Sequence, residues 1–182
     1  MQLALTRTLE SLKPTLMDPA AVSPSEVYWV FSQISVQQFT NLTIITPGKI
    51  GAEFNKTFGH YHTAQVPETY RVVSGEGVLL LQKKANDERR VNEVLLIRAH
   101  AGDEIVIPPE YGHSWSNIGG TPLILFDDWR SGHKPTDYEI IGHLHGMAYY
   151  LTGSAENIVP VANSNYLEVP VFRMIEAKDL KL

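Results

Sequence analysis

The chain has 182 residues, a formal net charge of -5 and a pI near 5.8, and 43% of its residues are hydrophobic. This length and composition allow one sizeable buried core. The sequence has no long run of basic residues of the kind that general nucleic-acid binding requires. The absence of cysteine from the sequence excludes disulfides, thiolate metal sites and cysteine nucleophiles, so a metal would need histidine and carboxylate ligands.

The N-terminal residues lack the basic segment and apolar run that together form a secretory signal. No apolar stretch approaches the roughly 20 residues of a membrane-spanning helix. We therefore expect a soluble, cytoplasmic protein with neither a membrane nor a nucleic acid as its partner.

The N-terminal segment 1–24 contains several prolines and little periodicity, which predicts a surface arm with one short helix near residues 18–22. Runs of β-branched and aromatic residues then predict buried strands at 27–31 and 41–46. The dipeptide at 47–48, Pro-Gly, predicts the turn that ends the second strand.

The rest of the chain also favours strands. Short apolar runs predict five more of them, at 78–82, 91–97, 104–107, 113–117 and 122–129. The charged segment 83–90 is expected to be a solvated hairpin tip. Short strands repeated every 8–12 residues or so, with glycine and proline turns between them, predict an all-β sandwich or barrel.

The strongest chemical signal is the pair His60 and His62 followed by Glu68. Residues two apart in a strand point to the same face, so both imidazoles should lie together. Pro67 predicts a turn, and we expect the chain to return as a hairpin that brings Glu68 beside the imidazoles. Two imidazoles and one carboxylate on one face predict a metal site, and His113, five residues after Pro108, is the expected fourth ligand.

A second His-x-His pair, His143 and His145, competes for this role. No glutamate stands six residues after it, and no second block of the kind that ends at His113 follows it. We therefore expect these two histidines to lie at a pocket mouth or in an ordinary loop, with metal binding as the minor alternative.

The first block, with His60, His62 and Glu68, and the second block, with His113, resemble the two conserved blocks of the cupin superfamily, a jelly-roll β-barrel. The segments 43–51, 55–62, 68–82 and 108–119 are similar to cupin-type glucose-6-phosphate isomerases, best known from archaea. This resemblance implies a single-domain, all-β cupin barrel with short peripheral helices. Its parts would be an N-terminal arm at 1–26, a barrel core at about 27–130 and a C-terminal wrapping segment at 131–182.

The same resemblance implies a metal-dependent aldose–ketose isomerase of glycolysis and gluconeogenesis that interconverts glucose 6-phosphate and fructose 6-phosphate. It implies a homodimer with one divalent ion per chain, Fe²⁺ first, with Mn²⁺, Ni²⁺ or Zn²⁺ as alternatives. The implied metal ligands are His60, His62, Glu68 and His113. The implied catalytic residues are Glu68, Tyr70 and His133, and the implied substrate-binding residues are Thr43, Thr57, Gly59 and Tyr138.

A phosphate group is bound by hydroxyls, backbone N–H groups and a cation. Thr43, Thr57 and Gly59 offer the first two, and Lys56 is the expected cation beside them.

Two mechanisms stay open from the sequence. A proton would move between C1 and C2 through an enediol, with Glu68 as the shuttle, or a hydride would shift with the help of the metal. A carboxylate bound to a cation has a lowered pKa, which weakens Glu68 as a base and leaves Tyr70, His133 or a bound water as substitutes.

Two other classes of function also stay open. A cupin dioxygenase uses the same three histidines and one glutamate around iron, and oxygen consumption would identify it. A non-catalytic sugar-phosphate-binding cupin would bind its ligand without interconverting it.

Overall fold

The computed structural model describes residues 1–22, 25–129 and 136–181, in which strands dominate and helices are short. In chain order the strands are β1 Gln2–Thr8, β2 Glu26–Val36, β3 Phe39–Ile45, β4 Lys49–Ile50, β5 Glu53–Phe54, β6 Tyr61–His62, β7 Glu68–Ser74, β8 Glu76–Lys84, β9 Val91–His100, β10 Glu104–Ile107, β11 Tyr111–Asn117, β12 Leu123–Asp127, β13 Thr136–Asp137, β14 Tyr149–Gly153, β15 Ile158–Ala162 and β16 Arg173–Glu176. The α-helices are α1 Leu9–Leu12 and α2 Glu139–His143, and short 3-10 turns cover Lys13–Thr15 and Ala177–Asp179. No helix in these described ranges is long and apolar enough to cross a membrane.

Two sheets form the body of the protein. One has the strand order β1-β2-β3-β12-β7-β10, and the other has the order β11-β8-β9-β16. Three small sheets, β4-β5, β6-β13 and β14-β15, extend them. A single apolar core takes side chains from both large sheets, for example Leu125 from the first and Leu79 from the second, so the two sheets pack face to face. This is the predicted all-β, jelly-roll architecture.

Both faces of β8 are buried. Leu79 and Leu81 point into the core between the sheets, whereas the alternating residues Val78 and Leu80 belong to a second apolar cluster. Ile141 of α2, and other apolar residues from the C-terminal part of the chain, complete that second cluster. The C-terminal part therefore covers the outer face of the four-stranded sheet.

All the strands predicted from apolar runs are present, most of them one or more residues longer than the sequence indicates. The N-terminal segment differs from the prediction. Residues Gln2–Thr8 are β1, which pairs with β2 at the edge of the six-stranded sheet. The helix expected at 18–22 is wrong: the helical residues are Leu9–Leu12, capped by the side chain of Thr8, and the side chain of Asp18 instead holds a turn by accepting a hydrogen bond from the Ala20 amide.

The expected hairpin between the histidines and Glu68 is also wrong. Both edges of β7 are occupied, by β12 and by β10, so no edge is left for the histidine strand. The segment that contains His60 and His62 instead runs along β11, and β6 pairs with β13. The chain thus crosses from one sheet to the other between His62 and Glu68, and the carboxylate approaches the imidazoles from the opposite wall of the barrel.

Candidate metal centre

Backbone pairing with β11 places the three histidines. His60 and His113 lie opposite each other and exchange two backbone hydrogen bonds, with N–O distances of 3.2 and 3.0 Å. His62 follows two residues later, so its side chain leaves on the same face as that of His60. The ring centroids of His60 and His113 are 4.3 Å apart, and that of His62 lies 5.1 and 5.2 Å from them.

Glu68 completes the group from the six-stranded sheet. It is the first residue of β7 and only 1% exposed. Its Oε2 atom lies 3.1 Å from Nε2 of His62 and 3.2 Å from Nε2 of His113, and Nε2 of His60 lies 3.2 Å from that of His62. One ligand atom from each of the four residues therefore lies within 4.8 Å of all the others. The structure brings the four predicted metal ligands together.

These distances suit ligands that share one ion. Bonds of about 2.1 Å, at angles between octahedral and tetrahedral, separate neighbouring ligand atoms by about 3.0–3.4 Å. Oε2 of Glu68 and Nε2 of His113 are buried and have no partner of hydrogen-bond geometry among the described residues. Buried polar atoms without partners cost free energy, and a cation between these two atoms would satisfy both. The residues present therefore fit a divalent metal ion.

The protonation states of the group also suit a metal. Burial opposes the charge of Glu68, but the close approach of the His113 and His62 rings, together with the nearby His60, outweighs it and holds the pKa of Glu68 well below the ordinary value. Burial lowers the pKa of His113, although Glu68 acts in the opposite direction. An ionised carboxylate and a neutral imidazole are the forms that bind metal ions.

The group opens into a cavity of about 170 Å³ between the sheets. His60, Glu68 and His113 line it, and so do five residues predicted to act on the substrate: Thr43, Thr57, Gly59, Tyr70 and Tyr138. The cavity therefore joins the metal ligands to most of the residues that the sequence associates with the sugar phosphate.

Thr57 and Gly59 have structural constraints of their own. Oγ1 of Thr57 accepts a hydrogen bond of 3.0 Å from the backbone N–H of Trp115. Gly59 has a φ of +83°, a conformation that disfavours other residues, and an added Cβ atom would lie 2.9 Å from the sulfur of Met147. These constraints fix the backbone just before His60.

The structure places Lys56 away from this cavity, contrary to the expectation that it faces a phosphate. Its ammonium lies 2.7 Å from Oε1 of Glu53 and 2.6 Å from the backbone oxygen of Thr15, and it stands 5.1 Å from the ring centroid of Tyr150. Lys56 and Glu53 are both buried. Alternation along the chain explains the difference, because Lys56 and Thr57 are neighbours and point to opposite faces.

The aromatic residues near the ligands are placed as follows. Tyr70 lines the cavity, with its ring centroid 5.7 Å from that of His113, and burial followed by the charge of Glu68 raises its pKa well above the ordinary value. The ring centroid of Tyr138 lies 5.3 Å from that of His60. Trp129 also lines the cavity. His133, predicted as a catalytic residue, lies outside the described residues.

The second histidine pair is not part of the centre. In the part of the chain that the structure describes, no group of three or more possible metal ligands includes His143 or His145. His143 ends α2, and the backbone oxygen of His145 accepts a hydrogen bond of 2.6 Å from the hydroxyl of Tyr150.

Asp127 is a cavity residue that the sequence analysis misses. It is 3% exposed, and its Oδ1 atom accepts hydrogen bonds of 3.0 Å from the side chain of Asn41 and 3.1 Å from the N–H of Trp129. Burial, followed by the charge of Glu68, raises its pKa to about 8. The signal in the sequence is strand alternation. Leu123, Leu125 and Asp127 are two residues apart and share the inward face of β12, where an acidic residue is exceptional.

Comparison with known proteins identifies the family. The profile described as "Glucose-6-phosphate isomerase (GPI)" matches residues 32–168, which is most of the chain. The chain belongs to the glucose-6-phosphate isomerase family. All the metal ligands, catalytic residues and substrate-binding residues predicted from the sequence, His133 included, fall within the matched range.

Individual members of this family are moderately similar. The glucose-6-phosphate isomerase of Thermococcus gammatolerans is 36% identical over 84 residues, which are 46% of this chain and 41% of the relative. That of Thermococcus onnurineus is 31% identical over 131 residues, 66% of each chain. The first of these matches thus spans about two fifths of the relative's length. A solved structure of oxalate oxidase shows 16% identity and a TM-score of 0.44 over 62% of this chain and 46% of its own, a likeness too distant to indicate anything further.

Proposed function

We propose that this member of the glucose-6-phosphate isomerase family interconverts glucose 6-phosphate and fructose 6-phosphate with one bound divalent ion. The observation that supports the proposal most is the convergence of four buried side chains at one point of a cavity: His60, His62, Glu68 and His113. The threonine and tyrosine side chains in the same cavity are suited to a sugar phosphate, since hydroxyls donate to phosphate and to sugar oxygens.

Those four residues would hold the ion. Three imidazoles and one carboxylate suit Fe²⁺, Mn²⁺, Ni²⁺ and Zn²⁺, and we propose Fe²⁺ as the native ion. When bound, the ion would supply a Lewis acid for the oxygens at C1 and C2 of the substrate. Because imidazoles must be neutral to bind a metal, we expect occupancy to fall as the pH drops below the histidine pKa, which burial lowers for His113 from the ordinary value.

Thr43, Thr57 and the backbone of Gly59 would bind the phosphate, and Tyr138 would contact the sugar. Thr43 gives a cleaner test than Thr57, whose hydroxyl also supports the Trp115 amide. Thr43→Val removes one hydroxyl from the cavity and keeps the shape of the side chain. We expect KM to rise by roughly tenfold, the lower end of the range for a hydrogen bond to a charged group.

Proton transfer between C1 and C2 needs a group that takes up and returns a proton near the metal ligands. A group acts best when its pKa is near the working pH. Glu68, with its strongly lowered pKa, meets this condition poorly, whereas the pKa of Asp127 is about 8. We therefore add Asp127 to Glu68, Tyr70 and His133 as candidates for this proton transfer.

Two measurements separate the mechanisms and the classes of function. With metal-loaded protein in D₂O, an enediol route would place solvent deuterium at the transferred position, whereas a hydride shift would retain the original hydrogen. A coupled assay for fructose 6-phosphate and glucose 6-phosphate, run beside an oxygen electrode, tests the activity itself. Oxygen consumption without interconversion would favour a dioxygenase, and binding without either would favour a non-catalytic protein.

We also propose a homodimer and a single cupin domain, as the resemblance implies, and a cytoplasmic location. Light scattering at working concentration tests the first of these. A mass of one chain would contradict the proposed dimer.

A further inference from the structure

Arg7 lies on the N-terminal strand, next to residues that line the cavity. It lies opposite Tyr28 in the pairing of β1 with β2, and Leu5 lies opposite Val30. Leu5, Tyr28 and Val30 all line the cavity. Since Arg7 is two residues from Leu5 and no bulge separates them, its side chain leaves β1 on the cavity side of the sheet.

The guanidinium of Arg7 stacks against two aromatic residues at the edge of the cavity. Its central carbon lies 5.2 Å from the ring centroid of Phe58 and 5.4 Å from that of Tyr138. Phe58 stands between Thr57 and Gly59 in the chain, and the ring of Tyr138 lies against that of His60 at 5.3 Å. The positive charge is therefore next to the segment expected to bind the phosphate, with one aromatic ring between it and a metal ligand.

The charge of Arg7 is also available to a ligand. Within the described ranges no carboxylate lies at ion-pair distance from Arg7, whereas Lys56 is paired with Glu53. Nε of Arg7 is buried and has no hydrogen-bond partner among these residues. The polar groups that contact its guanidinium are the hydroxyls of Tyr28 and Tyr138, and these hydroxyls are neutral. A partly buried cation without an acidic partner costs free energy, and an anionic ligand would offset that cost.

We propose that Arg7 is the cation that binds the phosphate of the substrate, and that β1 is therefore part of the binding site. The guanidinium is planar and offers two parallel N–H donors to phosphate oxygens, which suits it better than a lysine for this role. The hydroxyls of Tyr28 and Tyr138 flank the same phosphate position. The inference rests on the proposed function, because a sugar phosphate places its phosphate several carbons from the carbons that react at the metal ligands.

The test compares two non-isomerisable polyols, glucitol 6-phosphate and glucitol, by calorimetry on the full chain loaded with metal. We expect the wild-type protein to prefer the phosphate compound, and Arg7→Gln to weaken its binding about 10- to 150-fold with little effect on glucitol. Arg98→Gln is the matched control, because Arg98 is also a partly buried strand arginine but is paired with Glu76 and lies on β9 of the other sheet.

Three outcomes contradict the inference, and they differ in what else they affect. If the wild-type protein prefers the phosphate compound and Arg7→Gln keeps that preference, Arg7 is not the phosphate cation, and the proposed function stands. If Arg7→Gln and Arg98→Gln weaken binding equally, the effect is one of net charge. If the wild-type protein shows no preference for the phosphate compound, the proposed function and the inference fail together.

A second measurement follows the wild-type protein itself, in case Arg7→Gln folds poorly. The arginine Nε–H signals of the ¹⁵N-labelled wild-type protein are recorded during a titration with inorganic phosphate, and the Arg7 signal is assigned from its absence in Arg7→Lys. We expect this signal to shift as the buried Nε–H gains an acceptor. A stationary Arg7 signal, while signals of Thr57 and Gly59 shift, would contradict the inference.

Discussion

Replacing Lys56 distinguishes the role that the sequence suggests from the one that the structure supports. The ammonium of Lys56 is bound by Glu53 and by the backbone oxygen of Thr15, at 2.7 and 2.6 Å, and the two charged side chains are 9% and 2% exposed. The other oxygen of Glu53 accepts a hydrogen bond of 2.7 Å from the amide of Met17. The pair thus holds the segment after α1 against the rest of the protein, so we expect Lys56→Met to lower the stability of the fold.

The magnitude follows from the burial of this pair. Removing one partner of a buried ion pair costs about 3–5 kcal/mol, because the remaining charge stays buried without compensation. For a chain of this size, about 2–4 °C of melting temperature is lost per kcal/mol, so we expect a decrease of about 6–20 °C. The double variant Glu53→Gln/Lys56→Met should recover part of this loss, since a neutral glutamine keeps an acceptor for the Met17 amide.

The assay is thermal unfolding of metal-free protein, followed by kinetics with fructose 6-phosphate after metal is restored. Metal-free protein is used first because a ligand bound to the folded state would mask the loss. We expect the folded fraction of Lys56→Met to keep the wild-type KM. An unchanged melting temperature together with a raised KM would refute this reasoning and return Lys56 to the phosphate site.

Three further predictions concern the cavity. Glu68→Gln should lower metal affinity by at least roughly 10- to 100-fold, which is the loss that removal of an outer-shell partner causes. Competition with a chelator of known affinity measures this loss, and wild-type affinity in the variant would contradict the role of Glu68 as a ligand. In urea unfolding, Thr57→Val should lose about 1–3 kcal/mol of unfolding free energy, because the Trp115 amide loses its acceptor. Thr57→Ser keeps the hydroxyl and should keep most of that free energy, and equal losses in the two variants would contradict the hydrogen bond between Trp115 and Thr57. The pKa of Asp127 is raised from 3.8 to about 8, so the folded state of the metal-free protein holds its proton more firmly and this contribution to stability is lost as pH rises between those values. Asp127→Asn should therefore gain stability relative to the wild-type protein by up to about 1.4 kcal/mol per pH unit across that window, and parallel pH profiles of the two proteins would contradict the raised pKa.

The strands were predictable wherever the sequence carries a continuous apolar run. The predicted strand at 104–107 coincides with β10, because both of its ends are marked, by the turn at Gly102 and by Pro108. β1 was not predictable in this way, since it is an edge strand whose residues are all exposed or half-buried, and its apolar signal is weak. Thr8, which caps α1, was a better signal for the helix than Asp18, whose side chain holds a turn.

The metal ligands were predictable as residues but not as a geometry. The two-residue spacing of His60 and His62 fixes a shared face whatever strand they join. The position of Glu68 depends on which sheet edge β7 joins, which is a property of the whole topology and not of the turn at Pro67. Long-range strand pairing places Asp127 in the cavity and Arg7 beside it. No local sequence pattern predicts the position of Arg7, and only the alternation of inward and outward residues along β12 marks Asp127.

Titration of metal-free protein with one divalent ion at a time, with isomerase activity measured at each addition, tests the central claim most directly. We expect interconversion of glucose 6-phosphate and fructose 6-phosphate to be absent without metal, to rise linearly with added ion and to reach a plateau at one ion per chain. His113→Ala should abolish this rise, and His143→Ala should leave it unchanged. Activity that does not depend on metal, or a plateau without any interconversion at full occupancy, would contradict the account.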